Sequence, residues 1–117
     1  MRIVSAALLL SLCACNYSVA DISNVPAQPT YWHDVRPLLY DHCLLCHSSP
    51  PDRGAPATFR FDVYADTNGV MGAGNMATSI LSEVISKHMP PRVGTSEGVG
   101  PNGTALLQNW VNDGAPE

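Results

Sequence analysis

The sequence predicts an all-α domain of about three main helices, and three observations predict it. Apolar residues recur at helical spacing in three separate stretches of the 117-residue chain. Only residues 59–64, Phe-Arg-Phe-Asp-Val-Tyr, alternate like an extended segment, and one such segment makes no sheet. The prolines and glycines cluster between the helical stretches, where they read as loops. A composition that is 45% hydrophobic and only 14% charged excludes a disordered tail.

The first stretch carries Val35, Leu38, Leu39 and His42 on one face. Pro37 cannot sit deep in a helix, so it belongs in the first turn. A firm helix therefore starts near Asp34, which can cap it, after a kinked turn holding Tyr31 and Trp32. It runs into Cys43. Residues 48–58 are loop by composition, and Gly69, Gly72 and Gly74 mark another loop. The second stretch places Met76, Ala77, Ile80, Leu81, Val84 and Ile85 on one stripe, with Ser79, Ser82, Glu83 and Ser86 opposite and Asn75 as N-cap. It stops at His88-Met89-Pro90-Pro91. After a Gly-rich loop at 94–103, Thr104 can cap a third helix whose apolar face is Leu106, Leu107, Trp110 and Val111. Gly114 and Pro116 close it in the usual C-terminal order.

Residues 1–20 read as an export signal. Met1-Arg2 carries positive charge, and 3–15 is an apolar stretch too short to span a bilayer as a helix. Ser18-Val19-Ala20 suits ordinary signal peptidase. Leu12-Cys13-Ala14-Cys15 resembles a lipobox, which would make Cys15 the lipidated first residue, with Cys13 an unusual occupant. Either route exports the chain to an oxidising compartment. Residues 21–30, with Pro26 and Pro29, read as a linker, and 31–117 as the folded domain. A Pro/Gly-rich domain of this size often depends on a disulfide, metal or cofactor for part of its core. The formal net charge is −4 and Lys87 is the one lysine, so such a surface makes nucleic acid a poor partner, and none is expected.

Cys43-Leu44-Leu45-Cys46-His47 is C-x-x-C-H, the attachment signature of c-type haem. Two thiols on one turn can each add to a vinyl group of one porphyrin, and the adjacent imidazole then lies under the iron as proximal ligand. Three rival readings fit less well. A thioredoxin-like pair wants a preceding strand, whereas 35–41 reads as helix. Zinc needs four ligands, with only His33, His42 and His88 left to complete them. A Cys43–Cys46 disulfide leaves His47 unexplained.

With Trp32-(x)₂-Val35-x-Pro37-Leu38-Leu39 before that motif, Met89-Pro90-Pro91 after it and Leu107-(x)₂-Trp110-Val111-(x)₂-Gly114-Ala115-Pro116 at the end, residues 31–116 resemble small monohaem cytochrome c domains. The likeness is greatest to haem-binding domains related to the planctomycete-type family. It implies a cytochrome c-like fold around one covalently bound haem c, with the first and last helices crossing near the haem edge. In similar cytochromes a proline carbonyl in the following loop accepts a bond from the proximal histidine, for which Pro50, Pro51 and Pro56 are candidates here.

Met89 is the preferred distal ligand, because two prolines stiffen its loop and leave little entropy to oppose a weak thioether bond. His88 is the rival; Met71 is weaker and Met76 reads as core. Arg60 and Arg92 are candidates to pair with the haem propionates. The expected function is single-electron transfer by an exported, lipid-anchored monomer serving redox partner proteins. The alternatives are a haem subunit of a periplasmic oxidoreductase or a peroxidase with a displaceable distal ligand, and a haem-bearing assembly or sensing module. With no nucleophile–base pair or phosphate loop in the sequence, no substrate chemistry is expected.

Overall fold

The structure, a computed structural model, describes residues 22–44, 46–90 and 98–117. Residues 1–20, expected to be an export signal with Cys15, and the propionate candidate Arg92 lie outside the described residues. A π-helical turn, Tyr31–Val35, runs directly into α1, Arg36–His42; α2 spans Ala73–Ile85 and α3 spans Gly100–Asn112. Among the described residues there is no strand, only isolated bridges joining Phe59 to Met71 and Thr67 to Val70. No helix among them is long and apolar enough to cross a membrane.

Each helix begins earlier or later than its expected cap, for a local reason. Pro37 does lie in the first turn of α1. Asp34 does not precede the helical backbone but lies within the entry turn. The amides of Asp34 and Val35 both donate to the Thr30 carbonyl, at 3.0 and 3.1 Å, and the second of these spans five residues, which makes the turn π-helical. The Asp34 carboxylate instead reaches back to accept from the Thr30 amide at 2.8 Å, a side-chain bond to the residue that precedes the turn.

Helix α2 starts at Ala73, and Asn75 is inside it rather than capping it. Asp66 sets this start: its two carboxylate oxygens accept from the Gly72 amide and the Asn75 side chain, both at 2.9 Å. Gly72 presses against the Tyr64 and Ala65 carbonyls so closely that any Cβ would collide. Ala73, Ala77, Ile80, Leu81 and Val84 are buried. Ile85, at the edge of the stripe, is 55% exposed.

Helix α3 starts at Gly100, four residues before Thr104, with Pro101 in its first turn. Thr104 is interior, and its hydroxyl donates back to the Gly100 carbonyl at 2.9 Å. Gly103 is the point of close approach: a Cβ there would lie 2.9 Å from Val99 Cβ and 3.3 Å from Leu38 Cδ1 of α1. The far end closes as a Schellman motif. The Gly114 amide donates to Val111, and the Ala115 amide to Trp110 at 2.8 Å, with Gly114 at φ +85°.

Tyr31 and Trp110 are fully buried, with ring centroids 6.3 Å apart, and Leu38, Leu39 and Leu107 pack into the same core. Burying a leucine this completely stabilises by about 1.5–3 kcal/mol. The tail returns to this core: the Pro116 carbonyl accepts from the Tyr31 amide at 3.0 Å and from Trp110 Nε1 at 2.9 Å, and the Tyr64 hydroxyl donates to Ala115 at 2.9 Å. The described part of the 21–30 linker is also packed on the domain. Ile22 and Val25 lie against the core, Pro29 is fully buried, and Asn109 Nδ2 donates to the Pro26 carbonyl at 3.0 Å.

Candidate functional site

Helix α1 delivers the C-x-x-C-H segment at its end. The amides of Cys43 and Leu44 both donate to the Leu39 carbonyl, at 2.8 and 3.0 Å, so the helix unwinds there. The amides of Cys46 and His47 then both donate to the Cys43 carbonyl, at 3.1 and 2.9 Å. That one acceptor gathers both cysteines and the histidine into a single turn, with Leu44 buried as its apolar anchor. Both thiols are free and both residues partly exposed. Cys43 packs against the core. Although the residue as a whole is only partly covered, its thiol is pushed up to about 12, chiefly by burial and then by the neighbouring Cys46.

The His47 ring stacks on Phe61, with centroids 4.6 Å apart and planes 27° from parallel. The Phe61 amide donates to the His47 carbonyl at 2.9 Å. The Phe61 carbonyl accepts from the buried Tyr31 hydroxyl at 2.8 Å. Burial lowers the His47 pKa and so favours the neutral imidazole, the form with a lone pair for a metal. His47 Nδ1 is buried without a hydrogen-bond partner among the described residues. None of the Pro50, Pro51 and Pro56 carbonyls therefore holds it.

Two unpaired thiols on one turn beside a neutral, partly covered imidazole are the donor set that two thioether bonds and one axial nitrogen require. The rival chemistries fit the geometry less well. A thioredoxin-like redox pair belongs in a βαβ context, whereas here the motif follows helix α1 and no strand precedes it among the described residues. Among the described residues no group of three or more His, Cys, Asp or Glu side chains is placed to hold a metal ion, and structural zinc takes four ligands.

The remaining candidates lie elsewhere. Helix α2 ends in its own Schellman motif, in which the Lys87 amide donates to the Val84 carbonyl at 3.1 Å and the His88 amide to the Glu83 carbonyl at 3.0 Å; the Met89 amide donates to that same Glu83 oxygen at 3.1 Å. Met89 is 39% exposed and lines a cavity of about 310 Å³ with Val84, Pro90, Val99 and Thr104, between the end of α2 and the start of α3. Cys43, Cys46 and His47 are not among that cavity's walls. His88 points outward, with Nδ1 3.4 Å from a Glu83 carboxylate oxygen. Met76 is partly buried against the core. The Arg60 guanidinium is held by Asp62 in a two-pronged pair, Nε to Oδ1 at 3.0 Å and Nη2 to Oδ2 at 2.5 Å.

Sequence reasoning missed Phe61 and Tyr31 as parts of the site. Their alternation and helical phase were visible, but nothing local signals that Phe61 meets a histidine 14 positions earlier. No family model matches the chain, and no curated protein or solved structure matches it.

Proposed function

We propose that this chain is an exported monohaem c-type cytochrome that carries single electrons between redox partner proteins. The observation that carries the reading is the turn after α1, where one carbonyl gathers the amides of Cys46 and His47 beside two free thiols. Cys43 and Cys46 would hold the porphyrin through thioethers and His47 would supply the proximal nitrogen. When bound, the haem supplies one-electron Fe(III)/Fe(II) cycling.

The chain's own part is positioning and exclusion of water. Burial favours the neutral form of His47, and the α1 turn fixes the spacing of the two sulfurs. Met89 is the proposed distal ligand, from a turn pinned to Glu83 by the two amide bonds. The cytochrome c-like arrangement of first and last helices is supported by Gly103 of α3 lying against Leu38 of α1 and by the Tyr31–Trp110 contact. An anchor at Cys15 would keep the protein at the outer face of a membrane.

The test is expression with c-type haem maturation. Haem that stays with the chain after denaturation is the expected result, and either Cys43→Ser or Cys46→Ser should weaken that attachment. A chain that carries no covalent haem under those conditions refutes the reading. A Met–iron charge-transfer band in the oxidised protein would identify the distal sulfur. One observation favours a second reading, an oxidoreductase or peroxidase subunit with a displaceable sixth ligand: Met89 is 39% exposed beside a cavity. Rapid carbon monoxide binding by reduced protein would support that version and count against the simple carrier.

A further inference from the structure

We infer that Phe61 is the positioning residue that sets the plane of the His47 ring, an inference that rests on the reading of His47 as proximal ligand. The second torsion of a histidine is broad, so the ring needs an external stop. A metal-ligating histidine usually gets that stop from a hydrogen bond at its other nitrogen, but Nδ1 here has no partner among the described residues. What touches the ring face is Phe61, stacked at 4.6 Å.

Phe61 is itself held on several sides. Its amide is bonded to the His47 carbonyl at 2.9 Å and its carbonyl to the Tyr31 hydroxyl at 2.8 Å. The flanking residues Arg60 and Asp62 are paired with each other, and Arg36 Nε donates to the Asp62 carbonyl at 3.4 Å. Tyr31 lies in the closed core against Trp110. A continuous set of contacts thus runs from the buried centre of the domain to the face of the ligand ring. The backbone bonds fix where Phe61 sits, and its side chain passes that fixity to the imidazole.

The experiment uses the haem-loaded protein and three variants, Phe61→Leu, Phe61→Met and Phe61→Tyr. All three keep the backbone bonds, and only the last keeps a ring. Electron paramagnetic resonance of the oxidised form reports the orientation of the axial ligands, and a redox titration reports the potential. The expected result is retained covalent haem throughout, with broadened or displaced g-values and a shifted potential in Phe61→Leu and Phe61→Met, and a return towards wild type in Phe61→Tyr. If the leucine and methionine variants match wild type in both readouts, the inference falls while the cytochrome reading stands. If the tyrosine variant is displaced as far as the others, or if both aliphatic variants fail to fold, Phe61 is a packing residue and the inference also falls. A wild-type chain without covalent haem overturns the functional reading itself, and that outcome is read before any variant is made.

Discussion

Replacing Tyr31 by phenylalanine removes one oxygen from the centre of the domain and has a signature in pH. The Tyr31 side chain is fully buried and its hydroxyl donates to the Phe61 carbonyl at 2.8 Å. Tyr31→Phe keeps the ring but leaves that carbonyl without its donor, a cost of about 1–3 kcal/mol at neutral pH. The hydroxyl is also raised from 10.0 to about 12, chiefly by burial; among its charged neighbours Arg36 lowers it and Asp62 raises it. The folded protein therefore keeps a proton that the unfolded chain releases near pH 10. Tyr31's contribution is complete below pH 10 and is lost as the pH rises towards 12. Two units at 1.36 kcal/mol each put that loss at about 2.7 kcal/mol. Urea unfolding at a series of pH values from 7 to 12 measures it. Wild type should exceed Tyr31→Phe by a constant margin up to about pH 9, and the margin should shrink by about 2 kcal/mol by pH 12. A margin that stays constant across the alkaline range refutes the assignment of Tyr31 as a buried, proton-holding donor.

Three further outcomes follow from the same geometry. Met89→Ala should leave haem covalently attached, remove the Met–iron band and lower the potential; an unchanged optical spectrum would show that Met89 is not the ligand. Gly103→Ala puts a Cβ 2.9 Å from Val99 Cβ and 3.3 Å from Leu38 Cδ1, so overpacking should outweigh the gain in helix propensity and destabilise by about 1–2 kcal/mol in a thermal melt. The Asp62 carboxyl lies below its ordinary value because of the hydrogen bonds from Arg60. Its contribution is present above the usual carboxylate pKa and lost as pH falls through the folded value, so Asp62→Asn should flatten the acid limb of the stability profile.

The three helices and most of their buried faces were legible because each is a local pattern. Leu38 and Leu39, Ile80 and Leu81, and Leu106 and Leu107 are all buried. The helix starts were not legible, because each is decided by a partner outside the pattern. Asp66 draws α2 back to Ala73 through Gly72 and Asn75. Helix α3 begins among Gly100 and Pro101, residues whose composition reads as loop, although proline is at home in a first turn. The site divided in the same way. Cys43, Cys46 and His47 are adjacent in sequence and are read at once. Phe61 comes to His47 only through a return of the chain and one backbone hydrogen bond, and no local spacing encodes that return.

A loop-rich domain has many carbonyls that no helix can satisfy, and leaving them buried and unpaired is costly. Here the polar tips of core side chains solve that problem while the side chains fill space. Tyr31 donates to Phe61, Tyr64 to Ala115, Trp110 to Pro116 and Asn109 to Pro26, in each case to a carbonyl of irregular backbone. Each of the three aromatic groups contributes apolar contact along its length and a hydrogen bond at its end. Against that pattern His47 stands apart, because its buried Nδ1 has no such acceptor among the described residues. An unpaired buried polar atom costs about 1–3 kcal/mol, so the ring at this position is held by packing rather than by a hydrogen bond at Nδ1. The exception falls on the residue that follows two free thiols on one turn, and the Phe61 face stacked on that ring at 4.6 Å stands where the other tips have a carbonyl.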